Sequence, residues 1–382
     1  MTAMSGANLH VVHVIAGLGL GGAERMLANL VSADRPEAPR QTVINLLGAG
    51  AFGNAVKDSA VPLHTLNIRR PADALLGVRR LARLLRKLRP DVIQSWMYNA
   101  DLLTYWAWRL GGLRQQSRLY WGVRCSDMNQ GHYGRRLRWT VNACARRSHL
   151  PTGIVANSHA GAAVHQALGY STGRMVVIDN GIDVDGFKPD PGARAQLRQA
   201  WGLSDAYPVV LHVARVDPMK DHALLLNAAR ERPDVQFVAA GLGTEHLDGP
   251  PNLLGLGART DVASLYAAAD LFLSTSAYGE GFPNVVGEAM ASGLRTVATD
   301  VGDTARIVGD AGEISASGDL PGLLAAIDRQ LAAPGDPDLP RKRIFRLYSL
   351  DRAVGRFDTL HRTGALPGGQ SETEEAGSSC AV

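Results

Sequence analysis

The sequence predicts an α/β protein built as two consecutive domains, each a parallel sheet covered by helices. Two observations carry that expectation. Short β-favouring apolar runs alternate along the chain with segments of helical periodicity, the order that parallel βαβ layers require. At 382 residues the chain is also too long for a single core. Composition sets a limit: 46% of residues are apolar, yet no run reaches the roughly eighteen needed for a membrane-spanning helix.

In the first half the expected strands are HVVHVIAG from His10, QTVINLLG from Gln41, DVIQSW from Asp91, RLYWGVR from Arg118, GIVANS from Gly153 and RMVVID from Arg174. In the second half they are PVVLHVAR from Pro208, VQFVAAG from Val235, NLLGLG from Asn252, LFLSTS from Leu271, RTVATD from Arg295 and GEIS from Gly312. The pattern divides into Rossmann-like domains at 1–185 and 186–349, with a linker in GFKPDPGARA (186–195). A helix is expected over 350–363, and the small, acidic, polar tail 364–382 has nothing to pack and is expected to be disordered. Cys125, Cys144 and Cys380 form neither a disulfide framework nor a C-x-x-C pair, and no charged-then-apolar leader opens the chain. Both features point to the reducing cytoplasm.

Gly17, Gly19 and Gly22 spell G-x-G-x-x-G between the first strand and the first helix, the form of a dinucleotide turn. The ribose-binding acid that should end the next strand is missing, because that strand offers Asn45. A nicotinamide-dependent oxidoreductase is therefore disfavoured. The better reading is a loop whose Gly19, Gly21 and Gly22 lack side chains so that backbone can approach a diphosphate. Glu24 and Arg25 just behind read as helix-surface residues within reach of an acceptor.

Charge is uneven. Residues 1–180 carry 22 Lys/Arg against 9 Asp/Glu, and residues 181–382 carry 18 against 27. The first half should therefore meet something anionic. In RRPADALLGVRRLARLLRKLRPD (69–91), Val78, Leu81, Leu85 and Leu88 fall on one helical face, and Arg79, Arg80, Arg83, Arg86 and Lys87 lie largely on another. This is either a solvated face or a contact for anionic lipid, and the second basic block, GRRLRWTVNACARRSH (134–149), suits the lipid reading. No aromatic-interleaved platform accompanies the charge, so nucleic acid is not an expected partner.

The most informative stretch is YGEGFPNVVGEAMASG (278–293). It follows a buried-strand run and opens a helix, so unsatisfied N–H groups and the helix dipole converge on an anion site. Glu280 and Glu288 flank that site. Carboxylates do not bind phosphate, so their partners are hydroxyls, and a sugar nucleotide carries both groups.

These residues resemble the E-x7-E element of retaining glycosyltransferases of family 4. The resemblance runs in order through GLGLGGAERM, PDVIQSWMYNADLL, NSHAGAAVHQALGYSTGRMVVIDNGIDVDGFKP, HVARVDPMKDH, VAAGLGTEHL, LGLGARTDVASLYAAADLFL and ATDVGDTARIVGDAGEI. It implies the GT-B fold, with two Rossmann-like domains whose parallel sheets face a central cleft and a last helix crossing back to the first domain. It implies a retaining, metal-independent hexosyltransferase that uses a nucleotide-sugar donor, a UDP-sugar, and no cofactor.

By this resemblance Arg215 and Lys220 form the R-x4-K pair that holds the donor diphosphate, where negative charge grows on the leaving group. A loop salt bridge with Asp217 or Asp221 is the plainer alternative. Glu288 is expected on the ribose hydroxyls and Glu280 on the sugar hydroxyls. Backbone of Gly281, Phe282, Pro283, Asn284 and Val285, with Gly21 and Gly22, lines the sugar pocket. Arg259 lies near the base or in a surface ion pair. Some members carry a first-domain histidine where this chain has Cys125, so no general base is named; Arg124 and Asp127 are acceptor-side candidates. Asp183-Val184-Asp185 spells D-x-D but sits in a structural segment, and the histidines show no metal-ligand spacing. The acceptor is a glycan or lipid-linked intermediate of cell-surface polysaccharide synthesis, or alternatively a small soluble metabolite. A non-catalytic sugar-nucleotide sensor is the remaining rival.

Overall fold

The structure, a computed structural model, describes residues 9–365 except 20, 36, 49, 69, 71–72, 125–133, 205 and 333–335. Cys125, Asp127 and nearly all of the tail expected to be disordered lie outside the described residues.

Among the described residues the first sheet has seven parallel strands: β1 (His10–Ile15), β2 (Arg40–Asn45), β3 (Leu63–Thr65), β4 (Val92–Trp96), β5 (Arg118–Val123), β6 (Gly153–Ala156) and β7 (Met175–Val177). Their order is β3-β2-β1-β4-β5-β6-β7, with Val12 of β1 between Thr42 and Ile93. The connecting helices are α1 (Gly22–Ser32), α2 (Gly53–Asp58), α3 (Ala74–Leu88), α4 (Tyr98–Leu110), α5 (Arg135–Ala145) and α6 (His159–Ala167). The second half opens with α7 (Pro191–Ala200) and builds a six-stranded sheet from β8 (Val209–Val213), β9 (Gln236–Ala240), β10 (Leu253–Gly255), β11 (Leu271–Ser274), β12 (Arg295–Thr299) and β13 (Gly312–Ser315). Their order is β10-β9-β8-β11-β12-β13, and the helices that follow α7 are α8 (His222–Glu231), α9 (Val262–Ala268), α10 (Asn284–Ala291), α11 (Thr304–Val308), α12 (Leu320–Ala332), α13 (Leu339–Tyr348) and α14 (Leu350–Thr363).

Strand β1 is buried at all six positions because helices cover both faces of its sheet. Its two histidines are satisfied core residues: His10 Nε2 meets Thr42 Oγ1 at 3.0 Å, and His13 Nε2 meets Gln41 Oε1 at 3.0 Å. Helix α3 buries Gly77, Val78, Leu81, Ala82 and Leu85 and leaves Arg79, Arg80, Arg83, Arg86 and Lys87 exposed. Helix α14 packs on the first sheet, where Phe357 stacks on Trp96 at 5.8 Å and Asp358 pairs with Arg35 at 2.8 Å. The two chain crossings are tied together, with Ile182 N donating to Tyr348 O at 2.9 Å and Leu350 N to Ile182 O at 2.8 Å.

Two elements differ from the sequence expectation. Strand β3 went unread because three residues carry no periodicity. Part of the stretch read as linker is helical: Asp190 caps α7 by accepting from Ala193 N at 3.0 Å, and Pro191 occupies its first turn. Strand order reverses between β1 and β4 and between β8 and β11. In open parallel sheets, ligands lie beyond the carboxyl ends of strands at such points.

Candidate active site

At the second switch point the loops after β8 and β11 meet. Asp217 Oδ1 accepts from Met219 N at 3.0 Å, which fixes the short turn ending at Lys220, and Thr275 Oγ1 donates to Lys220 O at 2.8 Å. Lys220 Nζ forms an ion pair with Glu280 Oε1, which also accepts from Ser276 Oγ at 2.7 Å. Gly302 backs this turn at φ +65°, and a Cβ there would sit 2.1 Å from Glu280 O. Only glycine fits that approach.

Arg215 lies apart from this pair. Its side chain is 58% exposed and forks onto Asp217, with Nη2 and Nε at 2.8 and 3.2 Å from Oδ2. Against the upward push of burial, the Met219 amide and the Arg215 guanidinium hold the Asp217 carboxyl below its usual range.

Glu288 lies in α10 and is only 2% exposed. Its Oε2 accepts from Tyr266 Oη at 3.1 Å, and its Oε1 pairs with Arg25 Nη1, which comes from α1 of the other half. Burial raises the Glu288 carboxyl above its usual range, with Arg25 and Tyr266 opposing. The same burial, with Glu288 beside it, lifts the Tyr266 hydroxyl well above its ordinary value.

Further contacts gather at the cleft, some within the first half and some across it. Asn180 Nδ2 donates to Asn284 Oδ1 at 3.0 Å, and Asn180 Oδ1 accepts from Arg124 Nη1 at 2.7 Å. Arg124 lies over the Trp96 ring at 4.3 Å, and burial pulls its guanidinium down to about 9 against Glu24 and Asp101. Gly22 abuts Asn284, since a Cβ there would lie 3.3 Å from Asn284 Nδ2. A Cβ on Gly281 would lie 3.2 Å from both Asn157 Oδ1 and Ser158 Oγ. Asp303, after β12, accepts from His159 N at 2.6 Å and Ala160 N at 2.8 Å, so a second-half carboxylate caps α6 of the first half.

The structure thus brings Lys220, Glu280, Gly281, Asn284, Glu288 and Gly22 to one seam. Gly21 is the N-cap of α1, and Pro283 that of α10. Val285 presents its carbonyl to Tyr266 Oη at 3.3 Å. Phe282 turns its ring into the core against Tyr348 at 5.5 Å, leaving only its backbone for a ligand. Gly19 has nothing within 4 Å of a built Cβ, and Arg259 forms a surface pair with Asp261 at 2.6 Å. Arg25, expected on a helix surface, is instead engaged with Glu288. Sequence reasoning also missed Tyr266, Asn180, Gly302 and Asp303, although all four lie in strings that carry the family resemblance.

Asp183 Oδ1 accepts from Asp185 N at 3.2 Å and Gly186 N at 2.9 Å, the geometry of a turn. Among the described residues no group of three or more His, Cys, Asp or Glu is placed to hold a metal, and no helix is long and apolar enough to cross a membrane.

A family model described as Glycosyltransferase Family 4 matches residues 20–185, and one described as Glycosyl transferases group 1 matches residues 207–333. D-inositol 3-phosphate glycosyltransferase of Mycobacterium tuberculosis is 37% identical over 150 residues, covering 35% of this chain and 31% of the relative. Its namesake in Mycobacterium ulcerans is 34% identical over 173 residues, covering 41% and 37%. The match spans about a third of the length of these curated relatives. Among solved structures, Anabaena HepE in complex with UDP-glucose superposes with a TM-score of 0.78 at 21% identity, covering 94% of this chain and 100% of that one. The lipopolysaccharide outer core galactosyltransferase WaaB, in its apo form, gives 0.70 at 15%, with the same coverage. At these identities the structural likeness shows a shared fold.

Proposed function

This chain belongs to glycosyltransferase family 4 and has the GT-B fold, and we propose that it transfers a hexose or N-acetylhexosamine from a UDP-sugar with retention of configuration. The observation that carries this reading is the convergence of Lys220, Glu280 and Glu288 at the switch point of the second sheet. Glu288 receives the ribose hydroxyls and Glu280 those of the sugar. Lys220 and Arg215 face the diphosphate, and backbone from Gly281 to Val285 lines the pocket opposite Gly21 and Gly22. In the transfer the bond from the anomeric carbon to the diphosphate oxygen breaks. An acceptor hydroxyl bonds to that carbon from the same face, and its proton passes to the leaving phosphate oxygen, so no protein base is required. Cations fixed near that oxygen stabilise charge that grows only as the bond breaks. No metal enters this scheme.

The acceptor enters from the basic first half, through Arg124 and its neighbours. A glycan on a lipid carrier, as in cell-surface polysaccharide synthesis, is favoured by the exposed arginines of α3 and by exposed Leu75, Leu76 and Trp139, which suit peripheral contact with an anionic membrane at the cytoplasmic face. A small soluble acceptor is the second reading, favoured by the name of the mycobacterial relatives. Proton NMR of the sugar released by slow hydrolysis of UDP-hexoses tests the reaction. An α-linked donor should give the α-anomer first, and initial release of the β-anomer would refute retention.

A further inference from the structure

The carboxylate read here as the ribose acceptor is not held by its own half of the molecule alone. Glu288 Oε2 has Tyr266 Oη at 3.1 Å, but that hydroxyl also lies 3.3 Å from Val285 O, so its single proton is divided. The charged partner of Oε1 is Arg25 Nη1, 263 residues earlier in the chain, in the first turns of α1. Glu288 is buried while Arg25 is 41% exposed, so the guanidinium lies at the edge of the cleft and the carboxylate at its floor. Arg25, Asn180, Asp183, Asn284 and Glu288 line one small cavity between the two halves. The cross-cleft bond from Asn180 to Asn284 and the tight approach of Gly22 to Asn284 set α1 against α10 at this point.

We propose that Arg25 is a positioning residue of the donor site, supplied by the opposite domain, which keeps Glu288 a carboxylate aimed at the ribose, so that donor capture depends on the two domains meeting. The proposal rests on the reading of Glu288 as the ribose acid. An ionised carboxylate offers about four acceptor sites, enough for Arg25, Tyr266 and two ribose hydroxyls together. A protonated one gives up a lone pair and must itself donate. The groups facing Glu288 are Arg25 of α1, Tyr266 of α9 and Asp183 across the cavity. Arg341 of α13, the helix packed on α10, is engaged with the carbonyls of Val184, Phe187 and Ala291. Arg25 is thus the cation that opposes the burial of Glu288.

The sign follows. Burial raises the Glu288 value in the folded protein, and removing Arg25 raises it further. The receptive carboxylate is then lost as pH falls through that value. Calorimetric titration with UDP across the whole pH range in which the protein stays folded, read as the ratio of variant to wild-type affinity at each pH, tests this. Arg25→Ala should bind nearly as well as wild type at the alkaline end and weaken towards tenfold per pH unit on acidification. Arg25→Lys should restore a flat ratio. Glu288→Gln should bind weakly with no pH trend and remove the trend from Arg25→Ala. A ratio of one throughout, or a uniform loss independent of pH, overturns the role of Arg25. Wild-type UDP affinity in Glu288→Gln would instead sink the ribose assignment itself.

Discussion

Replacing Lys220 with Met separates the fold from the chemistry at the residue where the structure joins them. The ammonium is 15% exposed, and its partner Glu280 is 10% exposed, with Ser276 Oγ as the other hydrogen bond to the paired oxygen. Breaking a buried ion pair by removing one partner costs on the order of 3–5 kcal/mol, because the remaining charge is left uncompensated. Residual solvent contact places this pair at the lower end. At about 2–4 °C per kcal/mol for a domain of this size, Tm should fall by roughly 10 °C. Turnover should fall independently by about 10²–10³, the scale of losing one preorganised charge from a transition state. Adding Glu280→Gln removes the stranded charge, so the double variant should recover much of the Tm and none of the turnover. Release of UDP from a saturating UDP-hexose, beside thermal melts, reads both. Arg215→Ala should lose turnover on a similar scale with little change in Tm, since its exposed pair contributes little stability. The Arg215/Lys220 double variant should be far from additive. Near-wild-type turnover in a folded Lys220→Met protein would refute the reasoning.

Gly302→Ala should lower both Tm and turnover, because the new methyl group collides with Glu280 O 2.1 Å away; retained activity would show that the turn yields freely. Asp101 is held protonated by burial, its carboxyl raised to about 8 against Ser95 and the Gly122 amide. The stability from that raised value is complete below the unfolded value near 4 and is lost as pH rises towards 8. Asp101→Asn should therefore gain Tm over wild type progressively from pH 5 to 8, and a gain equal at every pH would count against this. The protein should sediment with anionic vesicles at low salt and release as salt rises, and Arg79, Arg83 and Arg86 changed together to Gln should abolish sedimentation without unfolding. Failure of wild type to bind would leave α3 a solvated face and favour the soluble acceptor.

Much of this architecture was legible because parallel strands buried on both faces read as short apolar runs, as HVVHVI does in β1. Strand β3 was not, because Leu63–Thr65 is too short to show a period. The start of α7 was present in the sequence as Asp190 followed by Pro191, a capping signal obscured by the surrounding Pro and Gly. Glu280 and Glu288 were legible because one turn and one helix place both. Arg25 was not, since nothing local to α1 reveals a partner 263 residues away. Asp303 and the α6 amides it caps are 143 and 144 residues apart and belong to different halves, so no local pattern predicts their meeting. Gly302 looked like any turn glycine, and only the closeness of the Glu280 backbone explains it.

The most direct measurement is calorimetry of the 382-residue protein against a panel of UDP-, GDP- and dTDP-sugars, with NADH as the control. We expect saturable one-to-one binding of a UDP-sugar, weakened in Glu288→Gln, and no heat with NADH. Binding of NADH with silence across the sugar nucleotides would contradict the donor site built around Lys220, Glu280 and Glu288.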